Sequence, residues 1–156
     1  MKNKKGFTLV ELLAVIVVLG IILSITTVSI LNLKEKQDEE NIKNTISSIL
    51  TAAKEYNVDN RLPVDDPDNG KVSVSILRTG DYVDYDEEAE YKGTPYSSIF
   101  GGESVIKQSC GTDSLKVKYV FSKSIETSEG TKRYNDCGCM LNDEQNGSKS
   151  EKLCEE

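Results

Sequence analysis

Histidine and tryptophan are absent from this sequence, and its 156 residues include only three prolines and two methionines. Without histidine the commonest general base and metal ligand is missing, which excludes a histidine-activated serine or cysteine nucleophile. Positive charge is also scarce: 19 Lys and Arg stand against 26 Asp and Glu, for a formal net charge of −7. The deficit deepens after Leu33, where 16 basic residues face 25 acidic ones. A segment of that balance repels phosphate backbones on average, so nucleic-acid binding gets no support. The acidic residues are scattered through polar loops and form no catalytic constellation. The chain is therefore not expected to be an enzyme, and no cofactor is expected.

What the chain does have is an uneven distribution of apolar residues. From Leu12 to Leu23 every residue is apolar, counting Gly20, and from Phe7 to Leu33 the only charge is Glu11. About 20 residues of helix span a hydrocarbon core, so this 27-residue stretch is long enough to cross a membrane. Lys2, Lys4 and Lys5 precede it and would hold that end in the cytoplasm by the positive-inside rule. A secretory signal peptide would share the lysines, but Ser24-Ile25-Thr26 is a poor small-x-small cleavage site and Glu11 is out of place. An ordinary single-pass anchor accounts for length and lysines but leaves Glu11 unexplained, because a carboxylate in a membrane helix is costly. Thr8-Leu9-Val10-Glu11 fits a capping box, in which a Thr and a Glu three residues apart satisfy free backbone N–H groups at a helix start.

The run Lys4-Lys5-Gly6-Phe7-Thr8-Leu9-Val10-Glu11-Leu12-Leu13 closely resembles the processing motif of type IV prepilins and pseudopilins, a likeness covering about the first 30 residues. The resemblance implies cleavage after Gly6 by a membrane prepilin peptidase, followed by N-methylation of the new terminus, Phe7. It also implies that Glu11 pairs with the N-terminal amine of a neighbouring subunit during assembly. A carboxylate in a water-poor helix bundle is costly alone and much less so when paired. The likeness is incomplete: Val28 stands where many members have a proline. Ser24, Thr26, Thr27 and Ser29 still permit close helix packing.

Beyond the apolar segment, Ile42, Ile46, Ile49, Leu50 and Ala53 recur at helical spacing and predict an amphipathic continuation to about Tyr56. Four divisions follow: residues 1–6 as a basic leader, 7–33 as a transmembrane and polymerisation helix, 34–56 as its amphipathic continuation, and 57–156 as an extracellular head. Residues 57–70 read as loop, punctuated by Pro63, Pro67 and Gly70. Its acidic turn, Asp65-Asp66-Pro67-Asp68-Asn69-Gly70, has oxygen ligands of the kind calcium takes but lacks EF-hand spacing, so a solvated turn is expected. A short helix is expected over Val72–Thr79, burying Val74 and Leu77. Leu115–Phe121 reads as a strand with Leu115, Val117, Tyr119 and Phe121 on one face, and Lys132–Leu141 as its partner. The fold class is thus α+β, a long N-terminal helix packed on a small antiparallel sheet.

Cys110, Cys137, Cys139 and Cys154 all fall in the last third, on the side that would be exported. Their even number predicts two disulfides. A Cys137–Cys139 bond would be strained, which leaves Cys110–Cys137 with Cys139–Cys154, the expected pairing, or the swapped alternative. A four-thiolate zinc site is the other use of such residues, but zinc ribbons prefer two intervening residues and Cys137-Gly138-Cys139 has one. No metal is expected.

The function implied is that of a structural subunit of a type IV pilus or pilus-like filament. Its partners would be itself and other pilins, the prepilin peptidase and the pilus assembly machinery. It would lie in the cell membrane as a precursor and at the cell surface in the filament. The alternative within the same family is a pseudopilin of a DNA-uptake or type II secretion system. A single-pass anchored binding domain that never polymerises is the alternative of a different class.

Overall fold

The computed structural model describes residues 8–66, 68–110, 113–139 and 153–155, with side chains at all of them except 25–29, 32 and 113–115. The chain divides into two units, Met1–Gln37 and Asp38–Glu156. Helix α1, Leu9–Asn60, contributes to both.

In the first unit the large apolar side chains of α1 face outward on all sides. From Leu9, 81 % exposed, to Leu33, 60 % exposed, none of those described is less than half exposed. Among the described residues no helix is long and apolar enough to cross a membrane. The side chains described without interruption run only from Thr8 to Ser24 and resume at Ile30. Ser24 donates its hydroxyl to the Gly20 carbonyl at 2.8 Å, which satisfies a polar group inside an apolar stretch.

The second unit is α+β. The amphipathic half of α1 buries Ile42, Ile46, Ile49, Leu50 and Ala53, the stripe its spacing predicts. They meet a five-stranded antiparallel sheet of order β1-β4-β5-β8-β9, formed by Lys71–Ser73, Ser104–Cys110, Asp113–Phe121, Tyr134–Asn135 and Cys154–Glu155. β5 turns Tyr119 and Phe121 into the core, with Val117 packed against it. The side chain of Leu115 lies outside the described residues. Val120 points to the opposite face and is nonetheless 1 % exposed.

Helix α2, Val74–Thr79, follows β1 directly, with Ser73 accepting from the Ile76 N–H as its cap. It buries Val74 and Leu77 as expected, while Val72 belongs to the strand. The hairpin β2–β3, Glu90–Tyr91 with Thr94–Pro95, turns through Lys92 at φ 50° and Gly93 at φ 74°. Positive φ at both central residues gives a turn whose twist matches the strands. Helix α3, Tyr96–Phe100, then places Phe100 edge-on to Tyr85, Tyr96 and Phe121, with ring centroids 5.3, 5.3 and 5.7 Å apart.

Two expectations are corrected here. Helix α1 runs to Asn60, one turn past Tyr56. Asn57–Asn60 lacks an apolar pattern because that turn is mostly solvent-facing. It is held by Asn60 Nδ2 donating to the Tyr56 carbonyl at 3.0 Å and by Arg61, at φ 52°, donating its N–H to the Asn57 carbonyl. Lys107 of β4 adds its ammonium to Asn57 Oδ1 and the Leu62 carbonyl at 3.0 and 2.8 Å. A cation there complements the negative end of the helix. The partner of β5 is also shorter than predicted. Lys132 belongs to a separate hairpin, β6–β7 (Ile125–Thr127 with Gly130–Lys132), and only Tyr134–Asn135 joins the sheet, with Asn135 opposite Val120. Leu141 lies outside the described residues.

Candidate functional site

The start of α1 forms the capping box that its sequence allows. Glu11 Oε2 accepts from the Thr8 backbone N–H at 2.8 Å and from the Thr8 hydroxyl at 2.9 Å. Thr8 Oγ1 in turn accepts from the Glu11 N–H at 3.3 Å. Both hydrogen bonds fall on one carboxylate oxygen, so the cap uses half of the Glu11 carboxylate. Gly6 and Phe7, the expected cleavage and methylation positions, lie outside the described residues.

At the other end of the chain all four cysteines are joined, with Cys110 bonded to Cys139 and Cys137 to Cys154. The expected pairing of Cys110 with Cys137 and Cys139 with Cys154 is replaced by the swapped alternative. The reason lies in the path after β8. Cys137 takes a left-handed conformation at φ 57°. Its N–H donates to Asn135 Oδ1 at 2.8 Å. It meets Cys154, which sits opposite Asn135 in the β8–β9 ladder. Gly138 then passes tightly over β5, and Cys139 reaches the end of β4. With the sulfurs bonded to one another no thiolate remains for zinc, and no group of His, Cys, Asp or Glu able to hold a metal ion occurs among the described residues.

The acidic turn organises its own backbone. Asp66 accepts from the Asp68 and Asn69 N–H groups at 2.9 and 2.8 Å and from the Asn69 side-chain amide at 3.3 Å. Asp65 Oδ1 accepts from the Ser109 N–H of β4 at 3.0 Å. Hydrogen bonds to the charged form hold both carboxyls below the usual aspartate range, chiefly from Ser109 for Asp65 and from the Asn69 N–H for Asp66. Asp65 thus ties the loop to the sheet, and Asp66 holds the turn together.

Three polar contacts of the head carry no motif and were invisible to sequence reading: Lys54 with Asp136, Lys107 with the end of α1, and Glu39 with the β6–β7 turn. In the last, the Glu39 carboxylate accepts from the Ser128 N–H and, at 3.0 Å, from the Ser128 hydroxyl.

Comparison with known proteins places the N-terminal segment. The model of the prokaryotic N-terminal methylation motif matches residues 1–27. Residues 1–27 thus match that motif, in line with the likeness of this segment to type IV prepilins and pseudopilins. Over 58 residues the chain is 37 % identical to the type II secretion system core protein G of Pectobacterium carotovorum subsp. carotovorum, covering 37 % of each chain. It is 37 % identical over 60 residues to that of Vibrio cholerae, covering 38 % of this chain and 41 % of the relative. With the Klebsiella pneumoniae protein it shares 33 % identity over 60 residues, 38 % of this chain and 43 % of the relative. The chain therefore matches about two fifths of the length of these relatives. No solved structure matches it.

Proposed function

We propose that this chain is a pseudopilin: a precursor held in the membrane by residues 7–33, cut between Gly6 and Phe7, methylated on Phe7, and assembled through α1 into a short filament of a secretion machine. The observation that carries this reading is the bare apolar surface of the first unit. A helix with Leu, Ile and Val exposed on every side is stable only where something apolar surrounds it. A membrane before assembly and other copies of the helix afterwards supply that in turn. The methylation motif supports the processing step, and the named relatives favour a type II secretion pseudopilin over a subunit of a surface pilus. Partners on this reading are further copies, other pilin-like subunits, the prepilin peptidase and the assembly machinery. Nothing favours the non-polymerising anchored domain, which has no use for the motif.

Glu11 fits two roles at once. Its Oε2 caps its own helix through Thr8, and the rest of the carboxylate can meet the cationic Phe7 amine of a neighbour, which neutralises both groups in a water-poor bundle. The reading is tested by intact-mass spectrometry of the protein isolated from its cells. Loss of residues 1–6 and gain of one methyl group are expected. A product beginning near Ile25 would establish a secretory signal peptide instead.

A further inference from the structure

The two disulfides are not equivalent in their surroundings. Cys137 and Cys154 are 2 and 6 % exposed. Cys154 lies within the β8–β9 ladder opposite Asn135, and the Cys137 N–H is bonded to the Asn135 side chain, so this bond joins segments that hydrogen bonds already hold together. Cys110 and Cys139 are only half-buried. Cys110 closes β4 where the β4–β5 register shifts between Ser109 and Cys110, and Cys139 stands in a turn. Exchange requires a thiolate to reach a disulfide sulfur, so access separates bonds that are otherwise chemically alike.

We propose that Cys110–Cys139 is an exchangeable disulfide, the position at which a dithiol–disulfide oxidoreductase acts on the folded head, whereas Cys137–Cys154 is structural and inert. A thiolate of the dithiol attacks one of the two sulfurs, forms a mixed disulfide and releases the other as a thiolate. The second thiol of the dithiol then resolves the mixed disulfide. The dithiol leaves as a disulfide, and Cys110 and Cys139 receive its two electrons and two protons. Opening this bond leaves the chain ahead of Cys139 anchored at Asp136 and Cys137. Asp136 keeps its ion pair with Lys54 and its hydrogen bond from the Tyr119 N–H, and Cys137 remains bonded to Cys154. The fold therefore survives reduction, and the bond can close again to the same partner.

The full chain in detergent micelles is treated with thioredoxin as the probe dithiol, kept reduced and quenched over time with an alkylating agent, and its cysteines are located by peptide mapping. Cys110 and Cys139 are expected to be alkylated at least tenfold faster than Cys137 and Cys154. The intermediate with two alkylated cysteines should keep the near-ultraviolet circular dichroism of the parent. A Cys110→Ser/Cys139→Ser variant should lose only the fast phase. If that variant fails to fold, the parent kinetics alone decide. Equal rates, prior opening of Cys137–Cys154, loss of the dichroism signal with the first bond, or re-oxidation to a Cys137–Cys139 bond each overturn the proposal.

Discussion

The ammonium of Lys54 on α1 stands 2.8 Å from Oδ2 of Asp136, a carboxylate side chain only 4 % exposed. The other carboxylate oxygen accepts from the Tyr119 N–H at 2.8 Å and from the Gly138 N–H at 3.1 Å. One aspartate thus joins the helix, the central strand and the crossing segment between the two disulfides. Removing it leaves two backbone donors without partners, each costing about 1–3 kcal/mol. Asp136→Ala is expected to destabilise the head by about 2–6 kcal/mol on that basis. Lys54→Met should cost less, about 1 kcal/mol, because the lysine is 42 % exposed and water screens the pair. Thermal unfolding of the solubilised chain, followed by near-ultraviolet circular dichroism, checks the order. Lys54→Met costing as much as Asp136→Ala would show that the ion pair outweighs the backbone bonds.

Gly138 is required for steric reasons. A Cβ there would lie 2.3 Å from the Val117 carbonyl oxygen and 3.1 Å from Lys118 Cα, both backbone atoms that cannot swing aside. Gly138→Ala should therefore destabilise the head by about 1–3 kcal/mol, the usual cost of overpacking, or more. It should also raise the fraction of mispaired disulfides after oxidative refolding, measured by non-reducing peptide mapping. Gly102→Ala is the control, since a Cβ at Gly102 meets nothing within 4 Å. Native pairing in full yield for Gly138→Ala would mean that the crossing segment lifts away from β5 freely.

Asp65 and Asp66 make the loop before β1 sensitive to acid. Both have folded-state pKa values lowered by hydrogen bonds to their charged forms. A depressed carboxylate stabilises the fold above its unfolded value, near 3.9, and that contribution is lost as pH falls through the folded value. Between pH 6 and pH 3 the denaturant midpoint of the parent should fall. An Asp65→Asn/Asp66→Asn variant should fall less, because neither position then titrates. An identical fall in both proteins would place the acid sensitivity elsewhere.

Much of the fold could be read in the sequence because its largest elements follow single periodicities. Ile42, Ile46, Ile49, Leu50 and Ala53 announce the buried face of α1, and the alternation from Val117 to Phe121 announces β5. What could not be read depends on residues distant in the chain. The last turn of α1 is held in part by Lys107, whose contact with Asn57 spans 50 positions. β8 has two residues, too few to show a period, and its place depends on the burial of Tyr134 in the core and on single pairings with β5 and β9. The disulfide pairing was open for the same reason: spacing cannot reveal the left-handed turn at Cys137 that sends Cys137 and Cys139 to different partners. At the N-terminus the capping box was legible because its partners are three residues apart.

The capping geometry sharpens the test of Glu11. Thr8 donates two hydrogen bonds to Oε2. Glutamine at position 11 can still accept both through its single carbonyl oxygen, so Glu11→Gln should preserve the helix start, membrane insertion and the folded head. Cleavage after Gly6 should survive as well, because Lys5, Gly6 and Phe7 are unchanged. What glutamine cannot do is neutralise a cationic amine, which needs a charged acceptor. Filament yield, measured as sheared fibre against total protein in cells, should therefore drop at least tenfold in Glu11→Gln and equally in Glu11→Ala. A tenfold change corresponds to about 1.4 kcal/mol, within reach of one charge pair in a water-poor bundle. If Glu11→Gln assembles like the parent while Glu11→Ala does not, the cap is the whole role of Glu11 and the intersubunit pair is wrong.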